Sequence, residues 1–162
     1  MPGFNDAHCH LASGGQSKLE VDLVGVRSLD EMKQRIARGV RSARPGEWVI
    51  GRGWDHTLWQ SQNLPNKNDL DAVTAGHPAF FVRVDGHIAA ANSAALKAAG
   101  LNRNTKDIAG GHADHDNNGE LTGIVREQTK DAFYKVIPPI SPERRRKAAE
   151  LVLAEAAQAG LT

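Results

Sequence analysis

Apolar residues recur at helical spacing in two long segments of the chain. The first predicted helix begins after Ser28, which suits an N-cap, and ends at Pro45. Its apolar positions are Leu29, Met32, Ile36 and Val40. The second begins after Ser141, with Pro142 at the first helical position, and stops at Gly160. These two segments are the clearest helices that the sequence predicts.

Strand signals lie between the two helices and include two hairpins. Residues 79–84 and 87–91 are apolar runs separated only by Asp85-Gly86, a strong two-residue hairpin signal. Residues 111–125 predict a second hairpin that turns on Asn117-Asn118-Gly119. The remaining predicted elements are a buried strand at 2–11, a loop at 12–16, an extended piece at 21–24, a strand at 47–55, a helical turn capped by Asn68 or Asp69, and short helices at 94–99 (capped by Asn92-Ser93) and 126–136.

The composition is typical of a globular protein and excludes several classes of partner. The chain has 162 residues, of which 40% are hydrophobic and 24% charged. A net charge of +1 gives no bulk attraction to nucleic acid, and no apolar run is long enough to predict a membrane span. Cys9 is the one cysteine, which excludes an internal disulfide and is compatible with a reducing compartment. Because the first residues show no signal-peptide pattern, we expect a cytoplasmic location.

The first candidate for chemistry is His8-Cys9-His10. Residues two apart on a strand point to the same side, so the two imidazoles would lie next to each other, as a divalent metal ion requires. Asp6 stands two residues earlier on the same face, where it would orient a histidine or the strand end. Cys9 would point to the opposite side as a packed thiol. The alternative is a pair of surface histidines, and the spacing alone does not decide between the two.

The residues around this pair resemble the amidohydrolase superfamily. The frame Pro2-Gly3-Phe4-x-Asp6-x-His8-x-His10 is similar to the end of the first barrel strand in that superfamily. Further motifs resemble the amidohydrolase 3 type, the subgroup that includes YtcJ-like proteins and N-substituted formamide deformylase. In chain order they are Glu47-Trp48-Val49-Ile50-Gly51-x-Gly53-Trp54-Asp55, Pro65 with Leu70-Asp71, Gly86-His87, Asn92-Ser93-x-Ala95-Leu96 and Gly119-x-x-Thr122-Gly123-Ile124-Val125-x-Glu127. The ordered set covers essentially the whole chain and is more specific than any single motif.

The resemblance implies an α/β fold around a metal-dependent (β/α)8 barrel, with an α+β insertion domain after the first barrel strand. We therefore expect residues 1–15 to form that strand with the metal-ligand motif, residues 16–138 the insertion domain, and residues 139–162 the barrel helix leading to a second strand. A whole barrel needs about 250 residues, so we expect it to be incomplete in this chain. The later strands, with further ligands and a catalytic aspartate, would lie outside it.

The same resemblance implies a hydrolase. His8 and His10 are expected to bind one of one or two divalent ions, zinc or another, with Asp6 and Glu127 as outer-shell or bridging candidates. A metal-activated water would hydrolyse an amide- or formamide-type C–N bond of a small molecule, and a carboxylate would carry the proton to the departing nitrogen. Because two imidazoles fill half of a tetrahedral site, we expect this chain alone to bind metal poorly or not at all and to be inactive.

His87 is the candidate catalytic residue. The resemblance implies that it reaches the active site and hydrogen-bonds the substrate or a developing oxyanion; the alternative is a histidine that only starts a strand. Glu127 would approach the metal or cap the following helix. A second group of residues has the composition of a metal site: His112, Asp114, His115 and Asp116. Because these residues lie in a predicted hairpin, alternating polar side chains that face solvent explain the group better than a bound metal does. Core packing likewise explains three aromatic residues better than a substrate pocket does: Trp54, Trp59 and Phe81.

Two other hypotheses remain open. The Asp-x-His-x-His pattern also begins TatD-type nucleases and PHP phosphoesterases, so the chain could be a fragment of a metal-dependent phosphoesterase. It could instead be a free-standing, non-catalytic α/β module for oligomerisation or binding, which predicts that Phe4 and Leu11 are buried within it. In the fragment hypotheses, apolar surface left by a missing barrel would favour a homodimer.

Overall fold

The computed structural model describes residues 3–161, which form two compact units. One unit is the continuous segment Val21–Pro138, and the other combines the two ends of the chain, residues 3–20 and 139–161. The helices and strands of the described residues are α1 (Leu11–Ser17), β1 (Val21–Asp22), α2 (Leu29–Val40), β2 (Val49–Trp54), α3 (Lys67–Thr74), β3 (Ala79–Arg83), β4 (Ile88–Ala91), α4 (Ser93–Ala98), β5 (Gly111–His115), β6 (Leu121–Glu127), α5 (Asp131–Tyr134) and α6 (Pro142–Gln158), with 3-10 turns at His56–Leu58 and Gln128–Lys130. Within residues 3–161, no helix has the length and apolar character to cross a membrane.

All six strands belong to one mixed sheet in the continuous unit, with the order β1-β2-β3-β4-β6-β5. β1, β2 and β3 run parallel, whereas β4, β6 and β5 each run antiparallel to their neighbours. Gly51 of β2 lets β1 approach closely, because a Cβ at that position would lie 2.3 Å from the Val21 carbonyl oxygen. The α/β class predicted from the sequence is confirmed. The assignment of residues 1–15 and 139–162 to an incomplete (β/α)8 barrel stays a prediction.

Apolar side chains cover both faces of the sheet, because neighbouring residues of a strand point to opposite faces. On β3, Phe81 packs with Ile36 of α2 on one face, and Phe80 packs with Leu96 of α4 and Phe133 of α5 on the other. The rings of Phe80 and Phe133 are stacked, with centroids 4.6 Å apart. The sheet is therefore the middle layer of the unit, with helices on both sides.

The predicted core positions of three aromatic residues are confirmed. Trp54, Trp59 and Phe81 are at most 3% exposed. The indole N–H of Trp54 donates to the carbonyl oxygen of Phe81 at 2.9 Å, and that of Trp59 donates to Val26 at 3.1 Å. Each buried indole N–H is thus satisfied, and the two side chains are held as structural parts of the core.

The helix N-termini follow short-range capping rules. The hydroxyls of Ser28 and Ser141 cap α2 and α6, as predicted. The cap predicted for α3 is wrong by two or three residues, because Asn66 takes the place of Asn68 or Asp69. The side chain of Asn66 accepts the N–H groups of both later residues, and the Asp69 carboxylate accepts the Asn66 N–H at 2.9 Å, which completes a capping box.

Three other predicted elements are wrong: the strand at 2–11, the helix at 126–136 and the loop at 12–16. Within the described part of the predicted strand at 2–11, only Phe4 forms a β-bridge, parallel to Leu161, and Phe4 is 70% exposed. A longer strand would need a partner for its backbone groups. The helix predicted at 126–136 begins later, because β6 continues to Glu127 with β5 and Gln128 opens a 3-10 turn.

In the unit formed by the chain ends, α1 replaces the loop predicted at 12–16 and packs against α6. A Cβ on Gly15 would lie 2.5 Å from the carbonyl oxygen of Ala148, so glycine permits the close approach of the two helices. Lys18 forms an ion pair with Glu155 at 2.7 Å between the same segments. The first and last described segments are thus held together mainly by one helix–helix contact.

Candidate functional site

The imidazoles of His8 and His10 lie side by side in the unit formed by the chain ends. Their Nε2 atoms are 3.0 Å apart, and the ring centroids are 4.9 Å apart. Asp6 accepts the backbone N–H of His8 at 3.0 Å, so its carboxylate shapes the chain rather than orienting an imidazole. The structure therefore brings the two histidines together as predicted, although a bend and not a strand places them.

The donor set of this pair suits a metal ion. Two nitrogen ligands of one tetrahedral zinc, at about 2.0–2.1 Å each, lie about 3.3 Å apart, close to the spacing of these Nε2 atoms. Both side chains are exposed, and Cys9 is exposed too, so the predicted packed thiol is wrong. In the part of the chain that the structure describes, no three His, Cys, Asp or Glu side chains are grouped to hold a metal ion. The pair by itself would supply two of the four donors that a tetrahedral metal site needs.

His87 and Glu127 form a second pair, on the continuous unit. Nδ1 of His87 lies 3.1 Å from Oε2 of Glu127, and the side chains are 66% and 52% exposed. The backbone N–H of Glu127 also donates to the His87 carbonyl oxygen at 2.9 Å. Glu127 stands at the N-cap position of the following 3-10 turn, but its side chain makes no cap hydrogen bond there. The two residues meet because β4 and β6 are neighbours in the sheet.

Glu127 holds this position in an unusual backbone conformation. Its φ is 49° and its ψ is −129°, in the positive-φ region that residues other than glycine seldom occupy. Such a conformation persists only where surrounding contacts determine it, and it is often found at binding and catalytic sites.

A partly buried group of charges fixes the turn that precedes His87. Arg83 of β3 contacts Asp55 at 2.6 Å and Asp85 at 2.5 Å, and Asp85 accepts the His87 backbone N–H at 2.9 Å. Burial acts to raise the pKa of Asp85, but the His87 N–H and the Arg83 guanidinium outweigh it and lower the pKa. The pKa of Asp55 is lowered against the effect of burial in the same way, by hydrogen bonds from Thr57 and Arg83.

A cleft of about 620 Å³ opens beside His87 and Glu127. It is also lined by Gly110 and Gly111, which present bare backbone, and by Arg126 and His112. The cleft falls within the size range of small-molecule sites in proteins.

The other charged groups around the cleft are already paired. Arg126 donates two hydrogen bonds to Asp114, at 2.8 and 2.7 Å, and this contact raises its pKa. Nδ1 of His112 lies 2.5 Å from Asp107, and this hydrogen bond lowers the pKa of the Asp107 carboxyl. Two members of the predicted metal-like cluster thus have protein partners.

The remaining acidic member of that cluster stabilises a turn. The carboxylate of Asp116 accepts the backbone N–H groups of Asn118 and Glu120, at 2.8 and 2.9 Å. These bonds fix the tight connection between β5 and β6 and lower the pKa of Asp116. The side chain of His115 is exposed at the end of β5.

The sequence interpretation missed Arg83 and Asp107. For Arg83 the sequence does carry a signal: it is a charged residue near the end of an otherwise apolar strand, and Asp85 follows two residues later as an ion-pair partner. The pairing of Asp107 with His112 spans a loop with no clear pattern, so nothing in the sequence predicted it.

The sequence model that describes the amidohydrolase family matches residues 1–162 of this chain. The chain belongs to the amidohydrolase family. The superfamily resemblance carried by the sequence motifs is thereby confirmed.

Relatives of this chain include proteins named for hydrolysis. It is 38% identical to a putative amidohydrolase, YtcJ, of Bacillus subtilis over 87% of this chain and 27% of that protein. It is 33% identical to the N-substituted formamide deformylase of Arthrobacter pascens over 83% of this chain and 25% of that protein. The chain spans about a quarter of the length of these curated relatives.

A solved structure resembles nearly the whole of this chain. It is an uncharacterized metal-dependent hydrolase from Pyrococcus furiosus, with a TM-score of 0.70 and 30% identity. The match covers 99% of this chain and 31% of that one.

Two of the family-like motifs in this chain stabilise the fold of the continuous unit. Asn92 is 1% exposed and caps α4, while its amide group donates to Thr74 and to the carbonyl oxygen of His77. Asp71 accepts both the backbone N–H and the hydroxyl of Ser93, at 3.0 and 2.5 Å. The Leu70-Asp71 and Asn92-Ser93 motifs therefore join α3 to the start of α4.

Proposed function

We propose that the chain is the N-terminal part of a metal-dependent hydrolase that cleaves an amide- or formamide-type C–N bond of a small molecule. The observation that carries the proposal is the 3.0 Å separation of the His8 and His10 Nε2 atoms. Membership of the amidohydrolase family and the name of the formamide deformylase relative support the type of bond. The proposal places the remaining ligands and the catalytic carboxylate outside this chain.

In this proposal, His8 and His10 hold one divalent ion, zinc by preference for nitrogen ligands. Such an ion supplies Lewis-acid chemistry, acidifying a coordinated water and polarising a carbonyl group. Each imidazole must present an unprotonated Nε2 and therefore carries its proton on Nδ1. Asp6 contributes through the backbone: by accepting the His8 N–H it sets the bend that turns the two rings toward each other.

The alternatives are less well supported. A phosphoesterase fragment would share the histidine pattern, but the family match and the deformylase relative favour C–N hydrolysis. A free-standing module predicts buried Phe4 and Leu11 side chains, and this is wrong, because they are 70% and 40% exposed.

Metal titration tests the proposal. We expect weak binding of Zn²⁺ or Co²⁺ at one site per chain, measured by calorimetry and by the visible absorption of Co²⁺, because only two ligands are present. The His8→Ala and His10→Ala variants should each weaken it at least about tenfold. His115→Ala removes another exposed histidine and is the matched control. Equal binding by His8→Ala and the control would refute the site.

A second measurement concerns activity. With zinc added, this chain should not hydrolyse simple formamides or N-acyl compounds, since two ligands alone do not build the site. Robust turnover that depends on His8 would refute the proposed inactivity of the isolated chain.

A further inference from the structure

We propose that Glu127 is a positioning residue, which holds the His87 imidazole with its proton on Nδ1 and leaves Nε2 as a hydrogen-bond acceptor for an N–H group of a ligand in the cleft. The part concerning the imidazole stands on the geometry of the continuous unit alone. The part concerning the ligand rests on the proposed hydrolysis of amides, whose secondary forms carry such an N–H group.

The contact between the two side chains decides which ring nitrogen carries the proton. Nδ1 of His87 is 3.1 Å from the Glu127 carboxylate. An ionised carboxylate only accepts hydrogen bonds, so the ring nitrogen that faces it must donate. In the neutral imidazole the other nitrogen, Nε2, is then unprotonated and accepts.

The backbone around the pair is fixed on both sides. The Glu127 N–H donates to the His87 carbonyl oxygen, and the His87 N–H donates to Asp85, which Arg83 holds. Lys130 donates to the carbonyl oxygen of Gly86, immediately before His87. The positive φ of Glu127 is maintained within this set of contacts. These contacts fix the backbone positions from which the two side chains, each more than half exposed, reach each other.

Nε2 of His87 is the ring atom left for a ligand. Among residues 3–161 it has no hydrogen-bond partner, whereas Arg126 is engaged by Asp114 and His112 by Asp107. Gly110 and Gly111 line the same cleft beside the imidazole.

The tautomer changes the role that the sequence suggested for His87. Stabilising an oxyanion needs a donor at Nε2, and neutral His87 presents an acceptor there. An acceptor suits the N–H of a secondary amide or N-substituted formamide. A tertiary amide has no N–H and would lose this hydrogen bond.

Nuclear magnetic resonance of the ¹⁵N-labelled chain tests the imidazole part. Long-range ¹H–¹⁵N correlation spectra at a pH of about 8.5, above the ordinary histidine pKa, distinguish protonated from unprotonated ring nitrogens. Comparison with His87→Ala identifies the signals of His87 among the seven histidines. We expect its proton on Nδ1. A proton on Nε2 in the unaltered chain would overturn the proposal.

Three variants separate the carboxylate from the backbone. Glu127→Gly removes the carboxylate and suits the positive φ, so the fold is kept while the proton shifts toward Nε2. Glu127→Gln retains an oxygen that can accept from Nδ1 and should preserve the tautomer. Glu120→Gln, at the turn end of the β5–β6 hairpin, is the matched control and should change nothing at His87. An unchanged tautomer in Glu127→Gly would overturn the positioning role.

Two small amides test the ligand part. N-ethylformamide has an N–H group and N,N-diethylformamide does not. We expect the first to shift the Nε2 signal of His87 and the second not to, and the response should be lost in Glu127→Gly. Equal shifts with both amides, or none with either, would overturn the acceptor role. Loss of zinc binding at His8 and His10 tests the proposed function separately, because the tautomer of His87 needs no metal.

Discussion

Replacing Asn92 by alanine should strongly destabilise the continuous unit. The Asn92 side-chain oxygen accepts the N–H groups of Ala79 and Ala95, both at 2.9 Å. Its amide nitrogen donates to the Thr74 hydroxyl at 2.9 Å and to the His77 carbonyl oxygen at 2.8 Å. One buried side chain thus joins β3, the end of α3 and the start of α4.

The loss can be estimated from the groups left without partners. Ala79 and Ala95 are 0% exposed, so water cannot replace the side-chain oxygen at either N–H group. Each orphaned buried group costs about 1–3 kcal/mol, and the loss of an N-cap costs about 1 kcal/mol, which is part of the Ala95 contribution. We therefore expect Asn92→Ala to lower the free energy of unfolding by about 2–6 kcal/mol, a large share of the 5–15 kcal/mol typical of a domain.

Urea unfolding followed by tryptophan fluorescence measures this change, because Trp54 and Trp59 are buried. Asn68→Ala is the matched control: Asn68 is exposed in the first turn of α3, and its replacement should change the free energy by less than about 0.5 kcal/mol. Asn92→Asp keeps two accepting oxygens and loses both donors, so it should fall between the two. A loss below about 1 kcal/mol for Asn92→Ala, with an unchanged dependence on urea, would refute the reasoning.

Two further predictions concern pH and association. Burial and the neighbouring Arg83 lower the pKa of His56. As the pH falls, the unfolded chain therefore binds a proton at this histidine before the folded chain does. The free energy of unfolding should keep its full value above the pKa of an unfolded histidine, about 6.5, and decrease below it. Urea unfolding at several pH values checks this, and His56→Gln should flatten the curve between pH 7 and 5; an equally steep curve in that variant would contradict it. We also propose that the exposed apolar side chains of Phe4 and Leu153 favour a homodimer. Light scattering should then show a concentration-dependent dimer that Phe4→Ser weakens, and a monomer at all concentrations would exclude it.

The sequence predicted best what depends on neighbouring residues. Ser28, Ser141 and Asn92 were recognised as caps because a cap needs only a side chain and the next three residues. The predicted cap of α3 is misplaced although the signal is local: Asn66, Asn68 and Asp69 are all good caps, and the capping box between Asn66 and Asp69 selects the first.

The sequence predicted less well what depends on distant partners. The pairing of His87 with Glu127 joins residues 40 positions apart and follows from the strand order β4-β6-β5, which no local pattern reveals. The predicted hairpin ends at residue 125, two residues before the end of β6, for the same reason: the last residue of β6, Glu127, is in the strand because it pairs with Gly111 of β5. The approach of His8 to His10 was predicted correctly from strand alternation, although a bend produces it.

The unit made from both chain ends has a consequence for the order of folding. Lys18 and Glu155 are 137 positions apart, and Phe4 donates its N–H to Gly160 at 2.7 Å. Closing a flexible loop of that length costs about 4 kcal/mol of chain entropy. During synthesis, α1 leaves the ribosome long before α6 exists, whereas every strand of the sheet can pair within residues 21–138. We therefore expect the sheet to form first and the segment carrying His8 and His10 to be ordered last.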